Sequence, residues 1–124
     1  VHTAFQNLPI DFSETSGVRQ VRGFTHSVVS PTPVINPKII SVSDKVMRET
    51  LEISKEEILE NSEEWEQILS GNKLIEGSKP IANVYCGDQF GVFKGQLGDG
   101  RAMTIGDIRN SKGQIWELQY KGAG

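Results

Sequence analysis

Cysteine is nearly missing from this 124-residue chain: Cys86 stands alone, so no internal disulfide can form, a usage that fits a reducing compartment. An excess of positive charge is missing too. Thirteen Lys and Arg face sixteen Asp and Glu for a formal charge of -3, which provides no broad electropositive field for a nucleic-acid backbone or an anionic membrane. No run approaches the roughly 18 apolar residues that cross a bilayer, and Val1-His2-Thr3-Ala4-Phe5 is not a basic segment followed by an apolar one, so neither a membrane span nor a signal peptide is read here. His2 and His26 have no spacing to Cys86 that resembles a zinc site. What remains is ordinary: the hydrophobic fraction is 36% and there are 13 glycines, enough for one modest core in a chain the size of one domain.

Three segments follow one another. Residues 1–40 are punctuated by Pro9, Gly17, Gly23, Pro31, Pro33 and Pro37, which predicts an extended leader wrapped on a larger body, with a short strand around Ser27-Val28-Val29-Ser30. In residues 41–71 the period becomes helical. Ser41 with Asp44, Ser54 with Glu57, and Asn61 with Glu64 each match a capping signature ahead of apolar residues, and Gly71 is a stop, so three short helices are expected, the first over 42–53. The acidic residues between Glu49 and Glu66 fit the helix dipole better than a metal site. In residues 80–124, strands are expected over 81–85, 89–93, 101–108 and 114–121, the last two as an antiparallel hairpin joined by Asn110-Ser111-Lys112-Gly113. Trp116, Leu118 and Tyr120 then share the packed face of the final strand, while Glu117, Gln119 and Lys121 share the polar one.

The densest chemical signal is the glycine-rich run from Gly87 through Gly91, Gly95, Gly98 and Gly100 to Arg101. Glycines between strands let a backbone approach a phosphate with its amides, although Asp99-Gly100 is also an everyday hairpin dipeptide. No Gly-Lys-Ser or Gly-Lys-Thr follows, which excludes a Walker-type loop. Arg101 follows the turn directly and Lys121 lies on a later strand, the layout of a kinase-like site, in which a strand lysine reaches the phosphates under a glycine-rich turn. The competing reading of Lys121 is a solvated residue at a strand end.

Three longer words decide between these. Tyr85-Cys86-Gly87-Asp88-Gln89-Phe90-Gly91, then Gly95-Gln96-Leu97-Gly98-Asp99-Gly100-Arg101-Ala102, then Trp116-Glu117-Leu118-Gln119-Tyr120-Lys121-Gly122-Ala123-Gly124 closely resemble the selenoprotein O family of protein adenylyltransferases. Leu8-Pro9-Ile10-Asp11, Pro31-Thr32-Pro33 and Ser70-Gly71-Asn72 stand in family order as well, so the resemblance covers nearly the whole chain. It implies an α+β fold forming part of a kinase-like upper lobe: extended leader, short helices and a glycine-rich antiparallel sheet. It also implies a parent enzyme that binds ATP in an inverted orientation and moves AMP to hydroxyl side chains of proteins. Gly98, Gly100, Arg101 and Lys121 match the family's nucleotide contacts. The catalytic aspartate and the Mg²⁺ ligands belong to a lower lobe beyond Lys121-Gly122-Ala123-Gly124, so this chain is expected to hold no catalytic residue and no metal ligand, and to be inactive alone. Asp88 stands where the family usually carries histidine, which points to a turn or supporting position, because a carboxylate repels a polyphosphate.

The resemblance implies partners as well: ATP, protein substrates and the carboxy-terminal lobe, with no nucleic acid and no membrane. The expected compartment is the cytoplasm for a bacterial member and the mitochondrion for a processed eukaryotic one. The alternative is a non-catalytic β-rich binding or interaction domain whose glycines serve only turns; a metabolite-kinase relative fits the loop and lysine but not the three words.

Overall fold

A computed structural model describes residues 2–13, 15 and 17–124, and its organising element is the long strand that follows Pro80. This strand, β3 (Ile81–Gln89), pairs antiparallel with β2 (His26–Val28), which in turn pairs in parallel with β1 (Ile10–Asp11). Strand β4 (Val92–Gly98) folds back on β3, while β5 (Ala102–Arg109) touches β3 at the Ile81–Thr104 pair and runs antiparallel along β6 (Ile115–Lys121). The architecture is mixed α+β with one six-stranded sheet, ordered β1-β2-β3-β5-β6 with β4 attached to β3. Two expectations change. The sheet is mixed, because the leader supplies strands to it, and the leader is therefore part of the body it was expected to wrap.

The leader turns back on itself around Asp11. Its carboxylate accepts from the N–H of Ser13 at 3.0 Å, from the Ser27 hydroxyl at 3.3 Å and from Arg19, which leaves a buried charge fully partnered and sets β1 beside β2. Those hydrogen bonds and Arg19 hold the Asp11 carboxyl below its ordinary pKa.

The expected strand over 89–93 does not form. Gln89 pairs with Val92, and Phe90 (φ 52) and Gly91 (φ 77) make a two-residue turn with both positions left-handed. Such turns match the twist of a hairpin but disfavour bulky residues, so an aromatic at the first position hid the turn.

The three helices are short: α1 (Asp44–Val46), continued by a π-helical turn at Met47–Leu51, then α2 (Lys55–Glu60) and α3 (Ser62–Leu69). Ser43, not Ser41, caps α1, because it is the residue directly before the first helical one and its hydroxyl reaches the N–H of Val46 at 3.4 Å. Ser54 caps α2 through the N–H of Glu57 at 3.0 Å. Asn61 does not cap α3 with its side chain, which donates instead to the Glu57 carbonyl and closes α2. Gly71 (φ 83) ends the helical segment, and a Cβ there would meet the Pro31 ring at 2.8 Å.

Burial centres on β5, where residues 102–106 are buried without a break, as expected of a strand with neighbours on both sides. Ile58 from α2 and Ile81 from β3 complete the fully buried set with Thr104. The apolar face of β6 is packed only toward its end: Trp116 is 43% exposed, Leu118 is half-buried and Tyr120 is buried. Among the described residues no helix is long and apolar enough to cross a membrane.

Candidate nucleotide site

The register of β5 against β6 brings two of the three motif words together. Ala102 lies opposite Lys121, so Arg101 and Gly122 meet just beyond the pair, and the Gly122 N–H donates to the Arg101 carbonyl at 2.6 Å. Gly124 then comes so close to the turn that an added Cβ would run into the Gly100 carbonyl oxygen. Glycine at that position is a requirement of close approach.

The turn at residues 98–101 is held from within and from β3. The Gly100 N–H donates to the Gly98 carbonyl and the Asp99 N–H to the Asn83 carbonyl, each at 3.0 Å. Gly98 and Gly100 do not have the positive φ that demands glycine. A Cβ on Gly100 would find no atom within 4 Å, and one on Gly98 would find only the Asn83 carbonyl at 3.5 Å. Neither backbone conformation nor internal packing therefore accounts for these two glycines. They leave an open face over the turn.

Gly98, Gly100, Arg101 and Lys121 are all exposed, and among the described residues neither Arg101 nor Lys121 is paired with a carboxylate. Two cations beside open backbone can receive an anion without first breaking an internal salt bridge. Asp99 is half-buried in the turn. The remaining glycines are elsewhere: Gly91 is at the tip of the β3–β4 hairpin, and Gly87 sits where the register slips between Cys86 and Asp88. The run from Gly87 to Arg101 is thus not one cradle but a hairpin followed by a separate turn. Asp88 pairs with Phe93 near the hairpin tip, whereas Gly98 pairs with Val84 at the other end of β4, so Asp88 stands away from the turn.

Sequence reasoning missed the residues that fix both limbs. On the lysine side, the Thr32 N–H donates to the Ala123 carbonyl at 2.7 Å, and the buried Tyr120 hydroxyl donates to the Ile68 carbonyl at the end of α3, also at 2.7 Å. Burial raises the Tyr120 pKa and keeps the hydroxyl a donor. On the turn side, the Gln96 side-chain amide grips the backbone of Val21. The signal for Tyr120 was its burial-compatible alternation; Thr32 and Gln96 had none, since their partners are distant in sequence. Among the described residues no group of three or more His, Cys, Asp or Glu side chains is placed to hold a metal ion.

Comparison with known proteins agrees with the motif words. A family model described as "Protein adenylyltransferase SelO" matches residues 13–124. A "Protein nucleotidyltransferase YdiU" of Methylobacillus flagellatus is 47% identical over 96% of this chain and 22% of its own length. "Protein adenylyltransferase SelO-1, mitochondrial" of Danio rerio is 43% identical over 99% of this chain and 19% of its length, and the Homo sapiens protein "Protein adenylyltransferase SelO, mitochondrial" is 41% identical over 88% and 16%. The chain spans about a fifth of the length of the first two relatives.

Proposed function

The chain belongs to the SelO family of protein adenylyltransferases, and from that premise we propose that it is the nucleotide-binding part of an enzyme that moves AMP from ATP to protein Ser, Thr or Tyr hydroxyls. The observation that carries the reading is the exposed turn at Gly98 and Gly100 beside Arg101 and Lys121, two exposed cations that have no carboxylate partner among the described residues and whose backbones are neighbours through the Ala102–Lys121 pair. The Arg101 and Lys121 side chains would bind and orient the phosphates over the exposed turn; ATP supplies the phosphorus that the acceptor oxygen attacks, with release of pyrophosphate.

In this reading residues 1–124 are one partial domain of a kinase-like upper lobe, with a leader at 1–40, a helical segment at 41–71 and a nucleotide-binding sheet at 80–124. The Mg²⁺ ligands and the catalytic base lie outside it, which makes the isolated chain inactive in transfer. The test incubates labelled ATP and an acceptor protein with either the full coding product or the 124-residue chain. Label on the acceptor with the former and none with the latter is expected. A full product that neither binds nor transfers nucleotide leaves the glycines as turn formers in an interaction domain.

A further inference from the structure

The leader touches the site on both of its limbs. At Val21 it is not in a strand, yet its backbone is paired as though it were: the Val21 N–H donates to Gln96 Oε1 at 2.7 Å, and Gln96 Nε2 donates to the Val21 carbonyl at 2.5 Å. One amide side chain thus takes the place of a strand's ladder rung. Val21 is buried and Gln96 half-buried, so losing the amide would leave a donor and an acceptor unsatisfied where water has poor access. Gln96 stands two positions before Gly98 on β4. At the other limb, Thr32 of the same leader donates to Ala123, two positions after Lys121. The leader therefore ties the strand that enters the glycine turn and the segment that leaves the lysine to one length of chain.

We propose that Gln96 is a positioning residue for the nucleotide: through Val21 it anchors the end of β4, so that the turn at residues 98–101 is ordered before ATP arrives. This rests on the reading of the turn as an ATP site. The turn is also tied to β3 by the Gly98–Val84 pair and the Asp99 N–H on the Asn83 carbonyl, and to β6 by the Gly122 N–H on the Arg101 carbonyl, so removing Gln96 cuts the tie to the leader on the β4 side and loosens the turn without freeing it. Ordering it then falls on the ligand, and affinity drops by the fraction of molecules with the turn in place.

The experiment is AMP transfer by the full coding product with Gln96→Ala, resolved into KM for ATP, KM for the acceptor protein and kcat. A rise of about five- to tenfold in KM for ATP is expected, the size of one lost hydrogen-bonded contact, with kcat and the acceptor KM within about twofold. Glu52→Ala is the control, because the Glu52 carboxylate grips the N–H and hydroxyl of Ser111 at the opposite end of the β5–β6 pair; it should leave the KM for ATP unchanged. Gln96→Glu keeps the side-chain size and the acceptor for Val21 but loses the donor, and it should raise the same KM if the alanine variant fails to fold. A purely structural Gln96 would lower kcat with the folded fraction and leave the KM for ATP unmoved in either variant, which overturns the proposal. If the unsubstituted enzyme transfers AMP and Gln96→Ala leaves the KM for ATP alone, the positioning role fails and the site stands; if the unsubstituted enzyme binds no ATP, both fall.

Discussion

The N–H of Gly122 donates to the carbonyl of Arg101 at 2.6 Å, so the residue after the candidate phosphate-binding lysine is hydrogen-bonded to the residue that closes the glycine turn. Distance in sequence becomes contact because an antiparallel pair returns the chain to its starting end. The turn and the lysine cannot separate without breaking the end of the β5–β6 ladder.

Lys121→Ala in the full coding product should lower AMP transfer by roughly tenfold to a hundredfold, the effect of deleting one charge-assisted contact to a polyphosphate. The melting temperature should hold, because the Lys121 side chain is exposed and Tyr120 carries the burial at that end of the strand. Lys121→Arg should also impair transfer, since a planar fork does not reproduce a compact ammonium. Rates within about twofold of the parent, with an unchanged melt, would reduce Lys121 to a solvated strand-end residue.

Tyr120→Phe removes the hydroxyl that reaches the Ile68 carbonyl and leaves the ring in place. A loss of about 1 to 2 kcal/mol in urea unfolding is expected, with the m-value unchanged. Equal stability of the two proteins would show that the hydroxyl does not tie β6 to α3.

Stability should fall in acid because of His26. Its imidazole is buried, lies 5.1 Å from the Phe5 ring centroid and meets the Thr25 hydroxyl through Nδ1 at 2.8 Å. Burial first, then the positive charges of His2 and Lys79, hold its pKa below the ordinary 6.5. The unfolded chain therefore binds this proton more readily than the folded one. Stability declines as pH falls through about 6.5, and this contribution to the loss levels off below the folded pKa. The depressed Asp11 carboxyl acts lower, its stabilisation vanishing as pH falls from 3.8 through its folded pKa. Urea midpoints between about pH 8 and about pH 5 should decline for the parent and be flatter for His26→Phe; parallel curves would exclude His26 as the cause.

Phe90→Asn should stabilise the chain by about 0.5 to 1 kcal/mol, read as a higher urea midpoint. Phe90 has φ 52 and is fully exposed, so it carries backbone strain without burying its ring, and asparagine tolerates the left-handed region. A lower midpoint would mean that the ring packs against something in the folded chain.

What the sequence discloses depends on how local each signal is. Ser54 and Glu57 are neighbours in the chain, and their cap forms where the motif places it; the hairpin joining β5 to β6 is equally local, and its register alone is enough to bring Arg101 near Lys121. Strands β1 and β2 are too short to show a period, and their pairing depends on Asp11 collecting Arg19, Ser13 and Ser27. The turn at Phe90 was hidden because its residue opposes its conformation. Gln96 was visible within a motif word, but an amide says nothing about which backbone it will grip.

The pairing of β2 with β3 across the whole helical segment has a consequence for synthesis. A ribosome delivers β1 and β2 before the three helices, while β3, which pairs with β2, emerges only after them, and β6 later still. Until then the bare edge of β2 has no partner, the condition in which nascent chains recruit chaperones or stick to one another. Sheet closure therefore waits until the helical segment and β3 have been made, and a pause in translation between α3 and β3 would lengthen the interval in which β2 stands unpaired on that edge.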